Sequence, residues 1–240
     1  MCGPLFVAES DFSIAFRAGD RRCKLTGILR TSYPMSSSRI STLRSMPAAA
    51  LLAALLLGPT AADPPETASL TGQLLIASPS IGDPRFAHTV ILMVKHDKDG
   101  AFGITINRPV AEKSIASLLE APGEDVSGIE GTLRVFAGGP VQPELGFVVH
   151  STEYRRDETI EVDDHLAVTA SRQILRDIGR HRGPQKSLFA LGYAGWGPGQ
   201  LENELARHDW FTAPEEPKLI FDDDRANLWE DAMAHRTREL

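Results

Sequence analysis

The amino-acid sequence predicts an α+β fold built on a mixed, largely antiparallel sheet. Apolar runs of strand length outnumber segments with helical spacing. Most of these runs follow one another without the helical crossover that parallel neighbours need. Turn chemistry such as Asp99-Gly100 joins two of them directly, as in a β-hairpin.

Taken in order, residues 72–77 form an apolar run bounded by Gly72 and Pro79, a first strand. Residues 78–84 are a turn cluster rich in Ser, Gly and Pro. Residues 86–96 read as a second strand and 101–107 as a third, antiparallel to it across 97–100. Ser114 caps a short helix, Ile115–Leu119, with Ile115, Leu118 and Leu119 on its apolar face. After an acidic loop, 133–137 and 146–150 are strands, with Gly138-Gly139-Pro140 between them. Residues 160–162 and 166–169 look like short edge strands. Ser171 caps a helix whose apolar positions are Ile174, Leu175 and Ile178, stopping at Gly179 or Gly183. Residues 187–193 are a buried strand; a glycine-rich turn follows, and Pro198 opens a helix with Leu201 and Leu205 facing the core. Residues 218–221 read as a last strand. Asp222-Asp223-Asp224 suit the start of a closing helix from Arg225, with Leu228, Trp229 and Met233 inward.

Composition narrows the function. Of 240 residues, 42% are hydrophobic and 24% charged, enough for a sizeable core. The net charge of −7 is unevenly spread: residues 1–62 hold seven Lys/Arg against Glu9, Asp11 and Asp20, leaving −11 for residues 63–240. An acidic domain repels phosphate backbones, so nucleic acid is a disfavoured partner. Arg172, Arg176, Arg180, His181 and Arg182 share a helical face only in part and read as solvated surface. Cys2 and Cys23 both precede residue 63, which excludes thiol catalysis and cysteine-bound metal for the main domain.

The leading segment has its own layout. Residues 35–46 are polar and basic, 47–58 wholly apolar, 59–62 end in Ala61-Ala62, and a Pro-rich linker covers 63–69. This is the order of a secretory signal peptide cleaved near Ala62. The apolar run is too short to span a bilayer, which takes roughly 20 apolar residues. Met35 is the expected start, residues 1–34 a disordered upstream extension, and residues 70–240 a single domain. Cleavage implies export to the periplasm; without it the chain stays cytoplasmic.

Several blocks occur together: Gly72-Gln-Leu-Leu-Ile-Ala-Ser-Pro79, Asp83-Pro84-Arg85-Phe86, His96 with Gly100-Ala101-Phe102-Gly103, Asn107-Arg108-Pro109, Gly138-Gly139-Pro140-Val141, Gly146-Phe147-Val148-Val149-His150, and Leu191-Gly192-Tyr193-Ala194-Gly195-Trp196 with Gly199-Gln200-Leu201-Glu202. In this order, over residues 70–235, they resemble the YqgE/AlgH family. The resemblance implies a barrel-like sheet flanked by helices and no particular reaction. Some members of that family are described as transcriptional regulators of exopolysaccharide production. Most look cytoplasmic, so an exported chain departs from the pattern.

Candidate chemistry is sparse. His96 and Asp83 are the catalytic candidates, as a His–Asp pair serving as base or, with His150, as metal ligands. The spacing matches no metal motif such as HExxH, and a histidine ending a hairpin strand also suits a bond to turn backbone. The ligand-binding candidates are Asn107, Gly138, Gly139, Trp196 and Gln200. Gly138-Gly139 can offer backbone N–H groups to an anion but lacks the Lys and Ser/Thr of a phosphate loop, and no cofactor is implied. Trp196 and Gln200, four apart, can face one groove over a helix start. No Gly-x-Ser-x-Gly elbow supports serine hydrolase chemistry. The reading that results is a non-enzymatic binding or regulatory module for a small molecule or protein. A hydrolase or metal-dependent enzyme using His96 and Asp83 is the alternative, and a transcriptional regulator the third. Convergence of His96, Asp83 and His150 on one pocket would favour the enzyme.

Overall fold

The computed structural model describes residues 68–121, 125–222 and 225–237. The expected extension and signal peptide, both cysteines, and Asp223 and Asp224 of the expected acidic cap lie outside the described residues.

The first half follows from turn and cap chemistry. β1 (Gln73–Ala77) is apolar on both faces. Asp83 then caps a single 3-10 turn, Pro84–Phe86, its side chain accepting the Arg85 N–H. That turn delays β2 (Val90–Asp97), which starts at Val90 rather than Phe86. β3 (Gly100–Thr105) returns antiparallel, with Asp97 opposite Gly100 across Lys98-Asp99. β4 (Pro109–Ser114) is a strand that the hydrophobic pattern does not predict, because its side chains are mostly exposed and do not alternate. Ser114 caps α1 (Ile115–Leu119) as expected, its hydroxyl accepting the Ser117 N–H.

The second half holds β5 (Thr132–Ala137), β6 (Val141–Ser151), β7 (Thr159–Glu161), β8 (Leu166–Thr169), α2 (Arg172–Gly179) capped by Ser171, and β9 (Ser187–Trp196). Then come α3 (Gln200–Ala206), β10 (Trp210–Pro214), α4 (Pro217–Phe221) and α5 (Leu228–Ala234).

The structure corrects five expectations. The glycine-rich stretch is strand as far as Trp196, not a turn after Tyr193: Ala194, Gly195 and Trp196 pair with Gly103, Phe102 and Ala101 of β3. Glycine serves close backbone approach there, since a Cβ on Gly138 would sit 2.3 Å from the Gly192 carbonyl oxygen. α3 accordingly opens at Gln200 after Gly199, whose φ of 71° suits glycine. Residues 218–221 are helical, with Pro217 in the first turn; a short apolar run carries no period of its own. The last strand is β10 instead, pairing with β1 over five residues. α5 begins at Leu228 behind Asn227, later than Arg225. β8 is no edge, since β6 and β7 flank it.

The strand order is β10-β1-β2-β3-β9-β6-β8-β7, with β4 and β5 branching off beside β9. Every pairing is antiparallel except β5 with β9, and the sheet is a strongly curled half-barrel with short helices against it, an α+β fold. Both faces bury apolar side chains. On one, Leu74, Leu92, Ile104, Phe147 and Val149 meet Ile220 of α4 and Leu228 and Ala232 of α5. On the other, Leu75, Ile91 and Met93 meet Leu201 of α3 and Phe86. A third cluster sets α1 and α2 on Val148 and Phe189. At about 25 cal/mol per Å², each fully buried Leu or Phe contributes about 2 kcal/mol, so these contacts fix where the helices lie.

Candidate functional site

The densest polar chemistry gathers where β9 runs into α3. Glu204 is buried, and the indole N–H groups of Trp196 and Trp210 both donate to its Oε2, each at 2.8 Å. Gln200 donates its amide to Glu204 Oε1 at 3.0 Å and accepts the Gly197 N–H at 3.2 Å. A buried carboxylate needs such donors to offset its lost hydration. Trp196 and Gln200, expected to face one groove, both bond to Glu204, and Trp196 is buried there.

His96, beneath the same helix, is buried. Leu70 donates its N–H to Nδ1 at 3.1 Å, which leaves the ring proton on Nε2, 3.0 Å from Glu202 Oε1. Asp83 is engaged elsewhere, in an exposed ion pair with Arg85. Hydrogen bonding to Arg85 holds its carboxyl below the usual range, against burial. His150 is fully buried, its Nδ1 against the Ser151 carbonyl and its Nε2 against the Thr169 hydroxyl, both at 2.9 Å. Burial pushes its imidazole down, while the Ser151 carbonyl and Glu153 pull the other way. The structure therefore gives His96, Asp83 and His150 three separate sets of partners. Among the described residues no group of three or more His, Cys, Asp or Glu is placed to hold a metal ion.

The remaining candidates serve backbone joints. Asn107 accepts the Val90 N–H on Oδ1 at 3.0 Å and donates to the His88 carbonyl at 2.8 Å, pinning the start of β2. Gly138 accepts the Thr105 N–H and donates to Leu191, at 2.8 and 2.7 Å. A Cβ on Gly139 would lie 2.0 Å from the Tyr193 carbonyl carbon.

An open cavity of about 220 Å³ lies elsewhere, between α1, α2, β6 and β9. Leu118, Leu145, Val148, Leu175, Phe189 and Leu191 line it, with Glu144 and Arg172 as its charged members. Gly146 makes the room: a Cβ there would press within 2.8 Å of the Phe189 ring.

These placements sit in a fold that is shared. A family model described as AlgH-like matches residues 74–240. The chain belongs to the AlgH-like family. It is similar to a UPF0301 protein of Sphingopyxis alaskensis, 47% identical over 165 residues, covering 68% of this chain and 87% of that one. A UPF0301 protein of Jannaschia sp. is 45% identical over 172 residues, covering 71% and 90%. The solution structure of the AlgH protein from Pseudomonas aeruginosa matches with a TM-score of 0.62 at 36% identity, over 70% of this chain and 89% of that one. A crystal structure from Corynebacterium diphtheriae matches with a TM-score of 0.53 at 22% identity, over 69% and 86%, and shows the fold alone.

In this AlgH-like chain, sequence reasoning missed Glu202, Glu204, Trp210 and the residues of the cavity. Glu204 had a signal: it lies on the Leu201 side of a short helix, where a charge must find partners. The cavity had none, since its lining comes from four elements distant in sequence.

Proposed function

We propose that this AlgH-like chain is a non-enzymatic binding or regulatory module that takes a small molecule with an apolar body and one anionic group in the cleft between α1, α2, β6 and β9. The observation that carries this reading is the cleft itself: a mostly apolar lining that includes Arg172, whose guanidinium donates to the Leu119 carbonyl at the end of α1 and keeps its remaining N–H groups for an anion. Small-molecule sites are concave and mostly apolar, with a few polar groups for orientation. The groups best suited to catalysis support the same reading. Both ring nitrogens of His96 and of His150, and both oxygens of Glu204, already meet partners within the protein. Hydrolysis by His96 and Asp83 has less behind it, because each is paired with a different residue. Transcriptional regulation by direct DNA binding has the acidic charge against it.

The test is a titration with 4-phenylbutyrate followed by methyl NMR. Saturable shifts confined to Leu118, Leu145, Leu175 and Leu191, lost in a folded Leu145→Asp variant, are expected. Shifts that never saturate, or that survive in Leu145→Asp, would sink the proposal.

A further inference from the structure

Asp163 lies in the turn between β7 and β8. Its Oδ1 accepts the backbone N–H groups of His165 at 2.7 Å and Leu166 at 2.8 Å. Its Oδ2 lies against the start of β1, 3.2 Å from where a Cβ on Gly72 would stand. The β1–β10 register ends with Gln73 opposite Pro214, so Glu215 leaves β10 on the side where Gly72 precedes β1. Asp163 and Glu215 thus approach the start of β1 from opposite ends of the strand order, where β7 and β10 are the terminal strands, near enough for the Asp163 charge to act on Glu215. Both oxygens are buried, and neither has a hydrogen-bond partner among the described residues. Two ionised carboxylates can only accept, so they cannot satisfy each other; one proton between them supplies the missing donor.

We propose that Asp163 and Glu215 form a proton-operated latch joining the two ends of the curled sheet. In the closed state the Glu215 carboxyl O–H donates to Asp163 Oδ2, tying the β7–β8 turn to β1 and β10. When that proton leaves to solvent, two like charges face each other without a donor, and the turn draws away from Gly72. The charged groups facing Glu215 are Asp163 and His165 from the β7–β8 turn and Glu216 beside it in the chain. Burial, then Asp163 and Glu216, push the Glu215 carboxyl up to about 7, and His165 pulls it back. The folded-state value is raised, so the contribution to stability is complete below about 4.5 and is lost as pH rises through about 7. The latch therefore works around neutrality.

The experiment is a carboxyl carbon NMR titration of the full chain, with the Gly72 and Leu166 amides followed in parallel. The expected result is a Glu215 midpoint near neutrality shared by both amides. Glu215→Gln, which keeps an amide donor in place of the acid, removes the amide titration and holds the closed-state shifts at every pH. His165→Gln retains the titration. A Glu215 midpoint in the ordinary carboxylate range overturns the latch. So does an amide titration that survives Glu215→Gln, or one that vanishes with His165→Gln, which would make the histidine the sensor.

Discussion

Trp196 and Trp210 donate their indole N–H groups to one and the same oxygen, Oε2 of Glu204, each at 2.8 Å. Their rings meet edge to face, with centroids 5.9 Å apart. Trp196 ends β9 and Trp210 begins β10, and β3, β2 and β1 stand between those strands in the sheet. One carboxylate on α3 therefore ties together two strands that share no ladder. Its face of the sheet is apolar, with Leu75, Ile91 and Met93 buried beside the indoles. The low dielectric there strengthens each bond and raises the cost of losing one.

Removing that carboxylate should loosen α3. Glu204→Ala leaves two buried indole N–H groups and the Gln200 amide without an acceptor, and an orphaned buried donor costs about 1–3 kcal/mol. The expected loss is about 3 kcal/mol in urea unfolding followed by tryptophan fluorescence. Glu204→Gln keeps one acceptor oxygen and should lose about half as much. Wild-type stability in both variants would show that the bridge is incidental.

His150 sets a pH dependence of the opposite sign to that of Glu215. Its folded-state value is depressed, chiefly by burial. The unfolded chain therefore takes up a proton more readily, so this stabilisation is present above about 6.5 and lost as pH falls below it. Because Glu215 acts in the opposite direction over the same range, the test is differential: lowering the pH from 7 to 5 should destabilise wild type relative to His150→Gln, which can still bond Thr169. An identical pH response of the urea midpoint in both proteins would show that His150 does not contribute.

Two glycines should respond very differently to the same change. Gly139→Ala forces a Cβ to 2.0 Å from the Tyr193 carbonyl carbon, a clash with backbone that cannot swing aside. A loss of about 3 kcal/mol or more is expected, by analogy with overpacked cores. Gly197→Ala meets nothing within 4 Å and should stay within about 0.5 kcal/mol of wild type. Thermal unfolding of the purified variants distinguishes them, and similar shifts in both would refute the close-approach argument.

The leading segment carries its own prediction, as a proposal. Export with cleavage near Ala62 would leave a native protein whose first residue is Asp63 or close to it. Mass spectrometry of the native N-terminus checks this. A peptide spanning Phe12 to Arg17 in the mature protein would count against both the cleavage and the Met35 start.

Local chemistry was enough for much of the fold. Ser114 and Ser171 announced their helices because a cap depends on a hydroxyl and the N–H two or three residues on. The Asp99-Gly100 hairpin was equally plain, since its turn lies within four residues. Reading failed where tertiary packing overrode local signals. β4 has no alternation because it lies exposed along β5, and α4 is helical because Pro217 and the burial of Ile220 favour it over a ladder. The glycines of β9 suggested a turn, yet three neighbouring strands approach them closely enough to make them strand.

By itself, then, the sequence determined the family, the α+β class, the capped helices and the acidic balance of the domain, because each of these is written in neighbouring residues or in totals. The tertiary structure alone decided that His96 pairs with Glu202, that Glu204 gathers two indoles, and that four separate elements enclose a cavity. Those relationships join residues up to 106 positions apart, as His96 and Glu202 are. The curl of the sheet, set by burial on both of its faces, is what brings them into contact.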